Sequence, residues 1–226
     1  MKKALLVLSG GQDSATCAAW AKTMFDEVMA ISFNYNQRHK KELDCAQKIA
    51  EKLGMPWELI EMPVLKGNKT SGLTDSSISV NDKDEKTGLP KSFVPGRNLL
   101  FLTAAASYAI SRGIYDVVTG VCQTDFSGYP DCRRITIDQV ENAVHAGNRE
   151  IVEQYNNGVF QIHTPLMFLT KAETVRLAAR LPHGMDVVGM SWTCYEGGEV
   201  PCGVCPACEL RIKGFAEAGI KDPAMS

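Results

Sequence analysis

The sequence predicts an α/β protein built on a doubly wound parallel sheet, and three observations carry that prediction. Short apolar runs of strand length, at residues 5–8, 27–33, 57–61, 116–121 and 159–164, alternate along the chain with segments of helical period. The first run breaks at Ser9 into the pair Gly10 and Gly11 and passes directly into a helix start. The 226 residues, 45% of them hydrophobic, suffice for a full core in a single unit spanning 1–226.

Each element has its own warrant. Residues 5–8 are apolar throughout, as a strand buried on both faces requires. Asp13, Ser14, Ala15 and Thr16 open the first helix. The second strand ends at a polar stretch from Asn34 to His39, and a helix follows over residues 39–53. Leu43, Ala46, Ile49, Ala50 and Leu53 share its buried face, and Gly54 closes it. A third strand is expected at 57–61. Residues 63–96 then lose all periodicity and become a long polar insertion, either a functional lid or a mobile solvated loop. Pro95 and Gly96 punctuate the return into an apolar helix at 99–110, buried on nearly all sides. A strand at 116–121, a polar loop at 122–134, a helix within 135–155, a strand at 159–164 and a helix at 171–181 complete the alternation.

The glycine turn is the first chemical signal. Two glycines let backbone N–H groups approach a ligand, and the helix behind them aims its unpaired N–H groups and positive dipole end at the same point. Such an arrangement holds anions, most often phosphate. The plain alternative is an ordinary turn with Asp13 or Ser14 as N-cap. Neither the dinucleotide pattern nor the Walker pattern fits, since no lysine lies in the turn. In a doubly wound sheet the turn, residues 34–39, the 122–134 loop and the 164–171 region all gather at the carboxyl edge.

Bulk composition narrows the partners. A formal net charge of −2 with no Lys/Arg block argues against nucleic acid. No apolar run reaches the roughly 18 residues of a membrane span, and no secretion signal precedes the first strand, so the cytoplasm is the expected compartment. In that compartment eight cysteines imply metal or reactive thiols rather than disulfides.

Four of them, Cys194, Cys202, Cys205 and Cys208, form C-x7-C-x2-C-x2-C among turn residues. The pattern suits a structural zinc ion with four thiolate ligands and no open position. A redox dithiol and an iron–sulfur cluster compete with that reading. The separated first cysteine and the tight turns favour zinc. Cys17 and Cys45 are expected in the core, while Cys122 and Cys132 flank the active edge.

The turn S-G-G-Q-D-S resembles the pyrophosphatase loop of the N-type ATP pyrophosphatase superfamily, whose fold is adenine-nucleotide α-hydrolase-like. These proteins cleave ATP between its α and β phosphates and adenylate a substrate oxygen. The resemblance implies an ATP site formed by Leu8, Ser9, Gly10, Gly11, Gln12, Asp13, Ser14, Ala15, Thr16 and Cys17. Within it Asp13 is a candidate Mg²⁺ ligand, because the triphosphate travels with a hard cation. The hydroxyls of Ser9, Ser14 and Thr16 are candidate donors to phosphate.

A closer resemblance spans most of the chain. The turn, Gln37-Arg38-His39, Val94-Pro95-Gly96-Arg97-Asn98, the loop T-D-F-S-G-Y-P-D-C-R at 124–133, Thr164-Pro165-Leu166, L-T-K-A-E-T at 169–174 and the cysteine tail are similar to the 7-cyano-7-deazaguanine synthase family. The resemblance implies a carbon–nitrogen ligase of queuosine biosynthesis that joins 7-carboxy-7-deazaguanine and ammonia at the expense of ATP. It implies catalytic roles for Asp13, Lys171 and Arg97, the two cations neutralising charge on pyrophosphate. Asp125 and Asp131 are the implied acceptors of the N1–H and 2-amino donors of the base. Phe126 or Tyr129 is implied to stack on it, and Arg133 completes the substrate set. His39 is the one histidine placed near nucleotide; His145, His163 and His183 receive no role.

The chemistry implies two adenylations per product, because an amide loses water only after its oxygen becomes a leaving group. No stretch is left over for a glutaminase, so free ammonium or a separate protein is the expected nitrogen source. Expected partners are otherwise small molecules and at most a second copy of the chain, a homodimer. A tRNA-thiolating or tRNA-adenylating relative and a non-enzymatic, zinc-stapled nucleotide-binding module are the competing functions. The first would retain tRNA on a filter, and the second would release no AMP.

Overall fold

The computed structural model describes residues 1–38, 40–66, 68–124 and 128–225. Among the described residues five strands, β1 (Lys3–Val7), β2 (Glu27–Asn34), β3 (Trp57–Glu61), β4 (Asp116–Val118) and β5 (Gln161–His163), form one sheet. Their order is β3-β2-β1-β4-β5, with every pairing parallel. The chain winds outward from β1 to β3, then returns to β4 and β5, so the direction of winding reverses between β1 and β4. That crevice is where doubly wound sheets bind ligands.

Helices cover both faces. They are α1 (Gln12–Met24), α2 (Lys41–Lys52), α3 (Arg97–Ile110), α4 (Arg134–Gly147), α5 (Arg149–Asn156), α6 (Lys171–Arg180), α7 (Gly184–Met190) and α8 (Pro206–Ala218). The pleat of β1 divides the core in two. Ala4 and Leu6, with Leu8 just beyond the strand, pack with α1, α2, α6 and α7. Leu5 points the other way and joins Ile31, Leu102, Ile137 and Ile162. Successive side chains of a strand face opposite ways, so one apolar run serves two layers.

The doubly wound parallel sheet is as the sequence predicts, and the differences lie in the details. The helix expected within 135–155 is two, α4 and α5, because the backbone at Asn148 turns out of helical geometry (φ −132°, ψ 25°). β4 and β5 are shorter than their apolar runs. Past β4 the chain bends at Gly120, where a Cβ would come within 3.0 Å of Asp13 C and Ser14 N. The helix α7 has no counterpart in the periodicity; it is a short connector of 7 residues. Among the described residues no helix is long and apolar enough to cross a membrane.

The insertion carries buried anchors that its composition did not signal. Leu65, Leu73, Val80 and Val94 are buried together with Tyr35. Ser71 and Ser92 are buried as well, at 0% and 1% exposure. A 3-10 turn at Pro63–Leu65 and an antiparallel bridge between Lys83 and Pro90 organise the backbone. Its four apolar anchors are spaced too widely for any period to reveal them.

Candidate functional site

The glycine turn does what its composition dictates. Gly10 sits at φ +90°, a region that favours glycine. A Cβ there would lie 1.9 Å from the Glu42 carbonyl oxygen, so only glycine lets the first turn of α2 rest on the loop. Ser14 Oγ accepts from the Gly10 N–H (3.1 Å) and donates to Gly11 O (3.0 Å), closing the turn from within. No side chain caps α1 at Gly11, which leaves its N-terminal N–H groups and dipole for an anion.

The hydroxyls divide. Ser9 is exposed at the turn, whereas Ser14 is 5% exposed. Thr16 is fully buried and donates to Gln12 O at 3.1 Å, so its hydroxyl is engaged by the helix itself. Leu8, Ala15 and Cys17 are fully buried too and shape the loop from below. Gln12 is 3% exposed, and neither end of its amide has a hydrogen-bond partner among the described residues.

Lys171 closes the far side of the turn. Its ammonium lies 2.9 and 2.7 Å from the two carboxylate oxygens of Asp13. The L-T-K-A-E-T segment places it there by local chemistry. Thr170 Oγ1 accepts from the Glu173 N–H, and the Glu173 carboxylate accepts from the Thr170 N–H at 2.7 Å. Such a capping box is worth about 1 kcal/mol and fixes Lys171 as the first residue of α6.

A second group gathers at the N-terminus of α3. Asp131 Oδ2 accepts from the Asn98 N–H at 3.0 Å, an anion on a helix N-terminus. Asp131 is only 5% exposed, so part of its carboxylate is committed to holding α3. Arg97, first in that helix, donates from Nη1 to the Tyr35 hydroxyl (3.3 Å) and faces Tyr129 and Asp131. Tyr129 is 8% exposed, and its hydroxyl shares a 2.7 Å hydrogen bond with Ser92 of the insertion. Arg133 is exposed. Asp125, Phe126 and His39 lie outside the described residues.

Glu42 links the two groups, and the sequence reading did not single it out. Its carbonyl rests on Gly10, and its carboxyl faces Arg97. Burial pushes that carboxyl up to about 7 against the pull of Arg97. Tyr35 and Tyr195 wall the same space, and burial raises both phenols. Only packing reveals these three; no motif of spacing or type marks them.

The four cysteines converge as their spacing predicts. Their sulfurs all lie within 4.8 Å of one another, a set able to hold a metal ion. The Cys202 N–H points at Cys194 Sγ (3.4 Å) and the Cys205 N–H at Cys202 Sγ (3.3 Å), the donors a thiolate centre needs. Burial works against ionising Cys202, but the Val204 and Cys205 amides, with the neighbouring thiols of Cys194 and Cys205, outweigh it and bring the thiol down to about 7. Burial raises Cys205 and Cys208. The centre also reaches the glycine turn. Trp192 is packed in the same cluster, its Nε1 donates to Cys194 O (2.9 Å), and its backbone N–H donates to Gly10 O (2.9 Å). Cys45, expected in the core, is partly buried against this cluster.

Residues 3–219 match the family described as "Queuosine biosynthesis protein QueC". The chain is 50% identical over 224 residues to the 7-cyano-7-deazaguanine synthase of Laribacter hongkongensis, covering 99% of this chain and 94% of the relative. It is 49% identical to the enzyme of the same name from Chromobacterium violaceum, covering 98% of this chain and 92% of the relative. A solved structure from Methanocaldococcus jannaschii, described as a predicted subunit of a tRNA methyltransferase, shares the fold. Its TM-score is 0.50 at 18% identity, covering 79% of this chain and 75% of that one.

Proposed function

Because the chain belongs to the QueC family and its activity is synthesis of 7-cyano-7-deazaguanine in queuosine biosynthesis, we propose that it starts from 7-carboxy-7-deazaguanine, ammonia and ATP and spends two ATP per nitrile. The observation that carries this reading is the Asp13–Lys171 pair (2.7 Å) at an uncapped helix N-terminus behind a glycine turn. This is a site for pyrophosphate, not for a reactive side-chain nucleophile.

The substrate carboxylate oxygen attacks the α-phosphorus, and pyrophosphate leaves into the turn. The N–H groups of α1, with Lys171 and Arg97, neutralise the charge that develops there. Asp13 would hold the Mg²⁺ that accompanies the triphosphate. Ammonia displaces AMP to give the amide. The amide oxygen then takes a second adenylyl group, and loss of AMP leaves the nitrile. Tyr129 and Arg133 border the base, which Asp125 and Asp131 recognise by accepting its N–H donors and Phe126 by stacking. Since Asp131 already gives one oxygen to α3, Asp125 takes the larger share.

Zinc is the ion we assign to the four cysteines. Tetrahedral Zn–S bonds of about 2.3 Å put neighbouring sulfurs about 3.8 Å apart, and Cys202 Sγ lies 4.0 Å from Cys208 Sγ. A multi-iron cluster would need the sulfurs further apart. With all four positions protein-bound the ion is structural. The reading involves no nucleic acid or membrane, and places one unit of residues 1–226 in the cytoplasm, alone or as a homodimer.

Incubation with ATP, ammonium and the carboxy-deazaguanine, followed by mass spectrometry, tests it. The expected result is the nitrile with two AMP and two pyrophosphate. One ATP per nitrile, or ADP as product, would overturn the scheme.

A further inference from the structure

We propose that Arg211 is a positioning residue for the phosphate turn: through Trp192 it fixes the Gly10–Gly11 peptide in the orientation that receives an anion. The assignment rests on the reading of that turn as a pyrophosphate site.

The Arg211 side chain is buried, at 3% exposure, and all five of its N–H groups are engaged. Nε and Nη2 donate to the two carboxylate oxygens of Asp222 at 2.6 and 2.8 Å. Nη1 donates to Ser191 Oγ (2.9 Å) and to Thr193 Oγ1 (3.0 Å), and Nη2 donates again to Val188 O (3.1 Å). One planar fork therefore holds the residues on either side of Trp192, a geometry that only a guanidinium offers. Asp222 is itself seated by the segment after α8. Pro223 packs there on Gly189 of α7, where a Cβ would fall 3.2 Å from the Pro223 Cβ.

Trp192 passes this restraint to the turn. Its N–H donates to Gly10 O at 2.9 Å, and its own carbonyl oxygen lies 3.7 Å from where a Cβ on Gly11 would stand. The Gly10 carbonyl and the Gly11 N–H belong to one planar trans peptide, so they point in opposite directions. Holding the oxygen on the Trp192 side turns the Gly11 N–H toward exposed Ser9, whose Oγ accepts it at 3.3 Å. Two successive glycines reorient easily unless something restrains them, and no side chain caps α1 at Gly11. The series Asp222, Arg211, Trp192 supplies that restraint and includes no cysteine ligand. Donors aimed in advance need no reorganisation when charge develops on pyrophosphate, which is the origin of their catalytic effect.

Two double variants test the assignment. Arg211→Met with Asp222→Leu removes the buried pair as a unit and leaves no lone charge, a replacement that folds tolerate well. Ser191→Ala with Thr193→Val keeps the pair and removes the two acceptors beside Trp192; it stands in if the first variant fails to fold. Each is titrated calorimetrically with magnesium pyrophosphate and analysed for metal content. Each is also assayed for exchange of labelled pyrophosphate into ATP, driven by the carboxy-deazaguanine. The expected result is a pyrophosphate Kd raised about tenfold, the order of effect that outer partners have on a bound ion, with the number of binding sites per chain unchanged. Exchange turnover should fall on the order of 100-fold, with the KM for the carboxy-deazaguanine and the metal content as in the wild-type protein. A merely structural role lowers the number of sites and leaves the Kd alone. That outcome, or an unchanged exchange turnover per site, would overturn the assignment. Weakened binding only where metal is lost would do so too, by placing the route through the cysteines. A wild-type protein that neither binds pyrophosphate nor exchanges it would instead overturn the reading of the turn itself, so the two failures are distinct.

Discussion

The Cα of Gly214 lies against the stem of Lys171 so closely that a Cβ there would fall 2.3 Å from Lys171 Cγ and 3.0 Å from its Cβ. The glycine of α8 is therefore the space through which the lysine reaches Asp13. Its ammonium is held by the pair, and its side chain is only 9% exposed.

Gly214→Ala should displace Lys171 and leave the fold standing. The alanine gains about 1 kcal/mol of helix propensity, while overpacking costs roughly 1–3 kcal/mol. Net stability should fall by at most about 2 kcal/mol by that difference. Adenylation should fall far more, on the order of 100-fold, because misplacing a catalytic group by about 1 Å has that effect. Pyrophosphate exchange and a thermal melt on the same sample check both statements.

Lys171→Met removes the cation and keeps the apolar stem. Loss of one preorganised electrostatic group costs about 100- to 1,000-fold in turnover, with the KM for ammonium unchanged. Combined with Asp13→Asn, the loss should be less than the product of the two single losses, since both residues serve one site. Strict multiplicativity would show that the 2.7 Å pair does not act as a unit.

Glu42 also gives a stability signature independent of turnover. Its folded value stands near 7, above the 4.5 expected when unfolded, so the folded protein binds the extra proton between those limits. The favourable contribution is complete below about 4.5 and fades as pH rises through about 7. Urea midpoints measured at mildly acidic and mildly alkaline pH should therefore diverge in the wild-type protein, the acidic one being higher relative to Glu42→Gln. The two proteins shifting in parallel with pH would show that the carboxyl titrates normally.

Removing the metal should affect more than the cysteine loop. Because the Trp192 N–H donates to Gly10 O at 2.9 Å, loosening the cluster loosens the phosphate turn. Chelation, or Cys205→Ala, should lower the melting temperature by roughly 2–4 °C per kcal/mol lost in a chain of this size. Pyrophosphate exchange should fall in parallel, and added zinc should restore it after chelation but not in the variant. Full exchange activity in metal-free protein would separate the two sites.

Much of this site is legible because its chemistry is local. Gly10, Gly11, Thr170, Lys171 and the four cysteines are each specified by neighbours within a few residues, through backbone freedom, a capping box or chelate spacing. The insertion was less legible, since Leu65, Leu73, Val80 and Val94 are anchors without a period. Asp131 shows a different limit. Its residue type suggests a base reader, and only the fold shows that at 5% exposure it also accepts from the Asn98 N–H at the start of α3.

The sequence by itself determined the parallel sheet and the family, through patterns that run from the first strand to Cys208, and the glycine turn and the thiolate set, because each is written in residues near one another along the chain. Tertiary structure alone decided that Glu42 meets Gly10 and Arg97, that Gly214 makes way for Lys171, and that Trp192 ties the cysteine centre to the turn. Those contacts join positions up to more than a hundred residues apart. No pattern of charge or hydropathy encodes them, because they arise only when whole helices and loops settle against one sheet edge.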